Sequence, residues 1–153
     1  MKELLEYREK LITRFGEAAQ EFRVACEAVN NPFEKIEDGW TLHQTVSHVR
    51  DAEKVVYGER IYLTLNGDNP EFKDFDADKW MEAHYDPQEP LERIFDEFTS
   101  HVSELCKTLS DLPQEAWSRE SRHETQGSGL TLQLWVERGL AHIEEHLQAV
   151  KKT

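Results

Sequence analysis

Apolar residues recur every three or four positions along four long stretches of this chain, and this spacing constrains the fold more than any other feature. In the first stretch, about Lys2 to Asn30, the recurring residues are Tyr7, Leu11, Phe15, Ala18, Phe22, Cys26 and Val29. Residues spaced in this way lie on one face of an α-helix, which has about 3.6 residues per turn. The pattern therefore predicts an amphipathic helix with this face buried.

Three further stretches share this spacing, which predicts helices over residues 41–65, 86–112 and 131–151. Thr41 and Gln44 form a capping-box pattern at the start of the second helix, where each side chain can bond the other residue's backbone N–H group. Asp86 is expected to cap the third helix and Thr131 the last one. Each of these three helices therefore has a start signal in the sequence.

Long connections over residues 66–86 and 119–129 join the helices, and neither shows the alternation of apolar and polar residues that is typical of strands. Asp76 begins a stretch that predicts a short helical turn, with Trp80 folded inward. Four amphipathic helices without strands predict an all-α fold, a four-helix bundle that forms a single domain over residues 1–153. Connections of this length often act as lids or binding loops.

The charge balance disfavours nucleic-acid and anionic-membrane partners. The chain has 31 acidic and 18 basic residues and a formal net charge of −13, so it repels phosphate backbones and anionic lipids. No apolar run approaches the ~18 residues that span a bilayer. The start, Met1–Glu6, lacks the apolar core of a secretory signal. We therefore expect a cytoplasmic protein without nucleic-acid or membrane partners.

Two histidines on the last predicted helix, His142 and His146, are four residues apart and stack on one face, close enough to share an ion. They lie beside the apolar stripe, and Gly139 is expected to leave space one turn below His142. His48 is the best candidate for a third ligand, because it lies on the inward face of the second helix with the small Ala52 one turn beyond it. The trio predicts a divalent metal site inside the bundle. The alternative is three ordinary buried polar side chains.

Acidic residues near these histidines are candidates for proton transfer. Glu59 lies three turns after His48 on nearly the same face, so it is expected to point inward, where a buried salt bridge is its alternative role. Glu145 lies between His142 and His146 in an H-x-x-E-H string, in which one class of metalloproteases has a general base. That class also needs a downstream acidic ligand, which this sequence lacks. Glu59 and Glu145 are the candidate catalytic residues, and Asp51 and Glu53 are further acids nearby.

Three other side chains have weaker signals. Arg138, one turn before the histidine pair, is placed to bind a substrate anion, and a salt bridge is the alternative. His123, in the connection before the last helix, is placed to reach the mouth of a pocket. His101 flanks the apolar stripe of the third helix and is expected at the edge of the core.

Cys26 and Cys106 have no metal-finger spacing and are expected to be buried thiols.

These motifs resemble those of the DinB-like superfamily, which includes YfiT-like metal-dependent hydrolases. The resemblance rests on Gly39-Trp40-Thr41, His48–Glu53, Phe75–Trp80 and Ala141–Leu147. It implies a four-helix bundle of the DinB/YfiT type, a homodimer, and a zinc or nickel ion held by three histidines, here His48, His142 and His146. Members of known activity are largely transferases and isomerases that use small thiols such as bacillithiol or mycothiol. The resemblance thus also implies a low-molecular-weight thiol as a cosubstrate.

Three hypotheses for function follow. The first is a metal-dependent enzyme that acts on a small molecule, as a thiol-dependent S-transferase or a hydrolase, through a three-histidine site with an open coordination position. The second is a non-catalytic metal-binding or stress-response bundle that acts through dimerisation. The third is a helical interaction module without metal. The sequence leaves open the substrate, the metal, the oligomeric state and whether the two long connections cover the pocket.

Overall fold

Four long helical segments pack around one core in the computed structural model, which describes residues 1–37 and 39–153. They are α1 (Lys2–Glu27), the joined helices α2 (Leu42–Ala52) and α3 (Glu59–Asn66), α5 (Leu91–Ser110) and α6 (Leu132–Lys151), and a short helix, α4 (Ala77–His84), lies in the first long connection. The prediction of an all-α four-helix bundle is confirmed. None of the described helices is long and apolar enough to cross a membrane.

The apolar face predicted for α1 forms much of the core. Phe15 and Phe22 are completely buried, and the ring of Phe22 meets that of Phe98 on α5 edge to face at 5.7 Å. Burial of a phenylalanine contributes about 1.5–3 kcal/mol relative to an exposed one. Tyr7 is the exception on this face, because it is half-exposed and its hydroxyl donates a hydrogen bond to Glu137 on α6. The helical spacing therefore located the core face of α1 from Leu11 onward.

The helix starts agree with the sequence at Thr41 and at Thr131, whose hydroxyl accepts from the backbone N–H of Leu134, and they differ at Asp86. The Thr41 hydroxyl accepts from the backbone N–H of Gln44, and the Gln44 side chain accepts from that of Thr41, so the predicted capping box is present. The prediction that Asp86 caps the third helix is wrong, because α5 begins only after Pro90. A proline disfavours helical geometry in the residue before it, so the helix cannot extend back toward Asp86.

The expectation that no strands lie between the helices is wrong, although the two small sheets of the described residues leave the fold a mostly helical bundle. β1 (Lys35–Glu37) pairs with β2 (Trp40–Thr41), and a second sheet has the order β3 (Glu71–Phe72), β4 (Glu120–His123), β5 (Gly127–Thr131). These strands have only two to five residues, too few for alternation to be seen in the sequence. Because β3 lies in the first long connection, and β4 and the start of β5 lie in the second, this sheet joins the two connections by backbone hydrogen bonds.

Between α2 and α3 the helix widens into a π-helical segment, Glu53–Gly58. A glycine is required at its end, since a Cβ atom on Gly58 would lie 2.7 Å from the Glu53 carbonyl oxygen and 2.7 Å from Cε1 of His101. Nε2 of His101, on α5, donates a hydrogen bond to that carbonyl at 3.0 Å. The π-helical segment therefore includes a glycine for space and has a histidine as hydrogen-bond partner.

Candidate metal centre

The structure brings the three predicted histidines together inside the bundle. His48 extends from α2, and His142 and His146 extend from α6, so that one nitrogen of each ring lies within 4.8 Å of the other two. Nε2 of His48 is 3.1 Å from Nε2 of His142. Two nitrogens that share a tetrahedral zinc ion with Zn–N bonds of about 2.0–2.1 Å are roughly 3.3 Å apart. The spacing therefore suits a shared cation.

Burial keeps the His48 ring neutral, which is the form that binds a metal. His48 is 8% exposed, and the indole of Trp40 packs against it with ring centroids 4.9 Å apart. Burial, together with the neighbouring His142 and His146 rings, lowers the pKa of His48 to about 3. At neutral pH this ring therefore has a lone pair available on one nitrogen.

Glu53 orients the second histidine. This residue opens the π-helical segment and is completely buried, and its Oε2 atom accepts a hydrogen bond from Nδ1 of His142 at 2.8 Å. With Nδ1 as the donor, the lone pair of the His142 ring lies on Nε2, the atom that approaches His48. Burial raises the pKa of the Glu53 carboxyl. Its second oxygen, Oε1, has no hydrogen-bond partner within residues 1–37 and 39–153.

This arrangement fits a divalent metal ion. A charged carboxylate with no exposed surface costs several kcal/mol unless a positive charge compensates it. Among the described residues, no Lys or Arg nitrogen lies within 4.0 Å of Glu53. A cation between the three imidazoles supplies that charge through His142, in the carboxylate–histidine–metal arrangement common in metalloproteins. The three histidines are the residues that could hold the ion, and Glu53 supports one of them.

A cavity of about 280 Å³ lies beside the cluster and includes His48 and His142 in its wall. Part of its remaining wall comes from α3 and the π-helical segment, through Tyr57 and Arg60, and part from the two long connections. The connection residues are Asp74, Phe75, Ala77, His123 and Gln126. The two long connections thus border the candidate site. A larger cavity of about 560 Å³ lies between α1 and the end of α5 and includes none of the clustered histidines.

The two candidate catalytic carboxylates lie outside this cavity. Glu59 is exposed on α3, so the prediction that it points inward is wrong. The π-helical segment adds about one residue to a turn, which rotates every later side chain by about 100° relative to a regular helix. Glu53 is the buried acid instead. Glu145 is also exposed, on α6, and the catalytic roles assigned to both exposed residues stay predictions.

The weaker sequence signals have mixed outcomes. The space expected at Gly139 is filled, because a Cβ atom there would lie 3.1 Å from Phe15 and 3.3 Å from Tyr57. Arg138 donates a hydrogen bond to Gln126 and lies over the Trp135 ring, outside the cavity wall. His101 supports the π-helical segment from the edge of the core, as described above. His123 is buried in β4 and forms part of the cavity wall.

Arg60 is the residue of the site that the sequence analysis missed. It is 8% exposed, and it lines the same cavity as His142. In a regular helix it would face away from His48, and only the rotation caused by the π-helical segment turns it inward. Gly58 is the nearest sequence signal for that segment, and a single glycine in a helical pattern does not specify one.

The fold and site define a four-helix-bundle protein with a candidate three-histidine metal centre. A sequence profile of the DinB superfamily matches residues 32–150, and the chain belongs to that superfamily. A protein of Oceanobacillus iheyensis that is provisionally named a metal-dependent hydrolase is 28% identical over 108 residues, or 69% of this chain. That match spans 62% of the relative's own length, which is less than two thirds.

A solved structure shows the same fold. YfiT from Bacillus subtilis, described as a candidate metal-dependent hydrolase with an unusual four-helix bundle topology, superimposes with a TM-score of 0.86. The superposition covers 96% of this chain and 85% of YfiT at 20% sequence identity. At that identity, the likeness establishes the bundle topology alone.

Proposed function

We propose that this chain is a metal-dependent enzyme that acts on a small molecule, with a zinc or nickel ion bound by His48, His142 and His146. The observation that carries the proposal is the convergence of three ring nitrogens within 4.8 Å beside a cavity of about 280 Å³. The names of the two relatives, both of which refer to metal-dependent hydrolases, support the same function. Hydrolysis is therefore the first reaction to test.

A divalent ion with three protein ligands supplies Lewis acidity and lowers the pKa of a water or thiol in its open position. The chain itself holds and orients the ligands. Glu53 accepts a hydrogen bond from the Nδ1–H group of His142 and so keeps the Nε2 lone pair available, while the buried His48 stays neutral. The connections contribute Phe75 and His123 to the wall of the cavity.

Thiol transfer is the second reaction that such a site supports, and it needs an external thiol. Burial raises the pKa of Cys106 to about 11 and raises that of Cys26 as well, so neither provides a thiolate at neutral pH. Neither cysteine forms part of the wall of the cavity beside His48. A transferase would therefore use a low-molecular-weight thiol cosubstrate, which we include in the proposal.

Metal analysis of the purified protein tests the ligand assignment. The wild-type protein is expected to hold about one ion per chain, and His142→Ala and His146→Ala are expected to lose it. His84→Ala is the matched control, because His84 is an exposed histidine on α4 that stacks on Trp80 away from the cluster. Unchanged metal content in both cluster variants would contradict the ligand assignment. The 3.1 Å contact between His48 and His142 would then be a hydrogen bond between two buried rings.

Turnover separates the enzyme from a non-catalytic metal-binding bundle. Metal-loaded protein is incubated with ester and amide probes, and separately with small thiols and electrophiles, and the products are measured by mass spectrometry. Product that depends on His142 supports the enzyme, and its absence across all probes favours a bundle that acts through dimerisation.

We also propose that the chain forms a homodimer. Light scattering on the protein as it elutes from a size-exclusion column tests this proposal, and a monomeric mass would contradict it.

A further inference from the structure

Arg60 is a buried cation that lacks a carboxylate partner among the described residues. Its Nη2 atom donates to the backbone carbonyl of Lys73 at 3.0 Å, and its guanidinium carbon lies 4.8 Å from the centre of the Trp135 ring. These contacts leave most of its five N–H donors available. Six other arginines each have a carboxylate oxygen within 4.0 Å, namely Arg14, Arg23, Arg50, Arg93, Arg119 and Arg122. Arg8 and Arg138 also have no carboxylate oxygen within that distance, but each donates to a glutamine side-chain oxygen. Among the described residues, Arg60 therefore differs in that no side-chain oxygen accepts from it.

The neighbouring His123 presents a second donor to the same place. Its Nδ1 atom accepts from the backbone N–H groups of Thr125 and Gln126 at 3.2 and 3.3 Å. Because Nδ1 accepts, the proton of the neutral ring is on Nε2. Nε2 lies 3.4 Å from Nη2 of Arg60, so this contact brings two donors together and is not a hydrogen bond between them.

Two buried donors that converge in a cavity need a shared acceptor. The carboxylate of Asp74 is the nearest described one, and its Oδ1 atom lies 3.7 Å from Nε2 of His123, beyond hydrogen-bond distance. That oxygen already accepts from the hydroxyl of Thr125 at 2.8 Å. His123 is 4% exposed and Arg60 is 8% exposed, so bulk water reaches neither donor freely. An oxyanion in the cavity would satisfy both.

We propose that Arg60 and His123 bind an anionic group of the substrate, specifically a carboxylate, while the rest of the substrate extends toward His48 and His142. This inference deepens the proposed function and rests on it for the role of the bound molecule. The planar guanidinium fork matches a carboxylate. The cavity of about 280 Å³, with apolar wall residues such as Val56 and Phe75, limits the ligand to a small carboxylic acid.

Nuclear magnetic resonance on the wild-type protein tests the site directly. The ¹⁵N-labelled chain is titrated with sodium acetate, with sodium chloride at equal ionic strength as the reference and inorganic phosphate as the competing anion. Saturable shifts of the Arg60 Nε–H and His123 Nε2–H signals with acetate support the proposal. Absence of such shifts overturns it, and tighter binding of phosphate than of acetate overturns the assignment to a carboxylate.

Variants give the second measurement. Arg60→Gln is expected to weaken acetate binding about tenfold or more, as expected for loss of a charged hydrogen-bond donor. Arg60→Lys keeps the positive charge but lacks the planar pair of N–H donors, and it is expected to bind acetate with an affinity between those of Arg60→Gln and the wild-type protein. Arg138→Gln is the matched control, since Arg138 also stacks on Trp135 but lies outside the cavity wall. Equal acetate affinity in Arg60→Gln and the wild-type protein overturns the proposal. If Arg60→Gln does not fold, the proposal is instead overturned by an acetate affinity of Arg60→Lys that equals that of the wild-type protein.

The metal is varied separately, so that this inference and the proposed function can fail independently. The acetate titration is repeated after chelator treatment and in His142→Ala, and the metal content of both Arg60 variants is measured. Shifts at Arg60 that persist without metal support the anion site even if the three histidines bind no ion. Acetate binding that disappears in His142→Ala yet is unchanged in Arg60→Gln assigns the anion to the metal and overturns the role of Arg60.

Discussion

The Oε2 atom of Glu53 lies 2.8 Å from Nδ1 of His142, and this contact joins the two helical segments that carry the histidine cluster. The backbone carbonyl of the same glutamate accepts a hydrogen bond from His101 on α5 at 3.0 Å. One residue therefore links three of the four long helical segments. Because the link passes through the π-helical segment, the orientation of His142 depends on that segment as well as on α6.

Glu53→Gln is expected to weaken binding of a divalent metal by about 10–100-fold, the usual effect of removing a hydrogen-bond partner of a metal-bound histidine. Glutamine has nearly the same size, and its amide oxygen can still accept from His142, so the variant isolates the negative charge. Competition with a chelating dye measures the affinity. Glu59→Gln is the matched control, since Glu59 is exposed. Wild-type affinity in Glu53→Gln would remove this residue from the candidate centre.

Gly58→Ala is expected to lower the free energy of unfolding by about 1–3 kcal/mol, because its Cβ atom would lie 2.7 Å from both the Glu53 carbonyl and His101. Gly16→Ala is the control in α1, where the added Cβ atom would lie 3.9 Å from Sγ of Cys106, an ordinary contact. That control is expected to be more stable by about 0.5–1 kcal/mol. Urea unfolding measures both, and a neutral Gly58→Ala would show that the π-helical segment adapts to a side chain.

The stability of the metal-free protein is expected to fall on mild acidification, in part through His101. Burial lowers the pKa of His101, an effect that its hydrogen bond to Glu53 opposes and the charge of Lys54 reinforces. A histidine whose pKa is depressed in the folded state contributes its full stability at a pH above its ordinary pKa of about 6.5. This contribution is lost as the pH falls from that value through the folded-state pKa.

His101→Gln tests this pH dependence, because glutamine can still donate to the Glu53 carbonyl but does not titrate. The free energy of unfolding is measured in urea, with chelator present, at about pH 7.5 and about pH 5.5. The wild-type protein is expected to lose more stability between the two conditions than the variant does. Equal losses in the two proteins would mean that His101 does not contribute to the acid sensitivity.

The two cysteines are expected to react slowly with thiol reagents in the native protein. Cys26 is buried in α1, and burial raises the pKa of Cys106 on α5 to about 11, so the reactive thiolate is scarce near neutral pH. Reaction with an aromatic disulfide reagent is followed by absorbance, with the urea-unfolded chain as the reference. A rapid phase in the native protein, equal in rate to that of the unfolded chain, would contradict the burial of these thiols.

Local patterns in the chain predicted the features that depend on neighbouring residues. The capping box of Thr41 and Gln44 is present because its two hydrogen bonds lie within one turn. The spacing of His142 and His146 placed both rings on one face of α6, which depends only on regular helical geometry. The inward face of α1 from Leu11 to Cys26 follows from the same periodicity.

The meeting of His48 with the two histidines of α6 is a predicted feature that joins distant residues, and the structure contains it. Other features that depend on distant residues were missed or predicted wrongly. Regular helical spacing predicts that Glu59 points inward, and this prediction fails because of the π-helical segment. That segment is stabilised by His101 from another helix, and no pattern within α2 specifies it. The pairing of β3 with β4 joins segments about fifty residues apart, Glu71 with Arg122, and so has no local signature.

Periodicity and caps thus determined the number of long helices, the core face of α1 and the histidine pair of α6, because each of these follows from interactions within a few turns. Tertiary packing alone decided which acid lies next to His142 and which cation enters the cavity. One extra residue in a single turn rotates all later side chains by about 100°, and it brings Arg60 inward while it leaves Glu59 in solvent. That turn is stabilised by contacts among three helices, which no stretch of the sequence contains by itself.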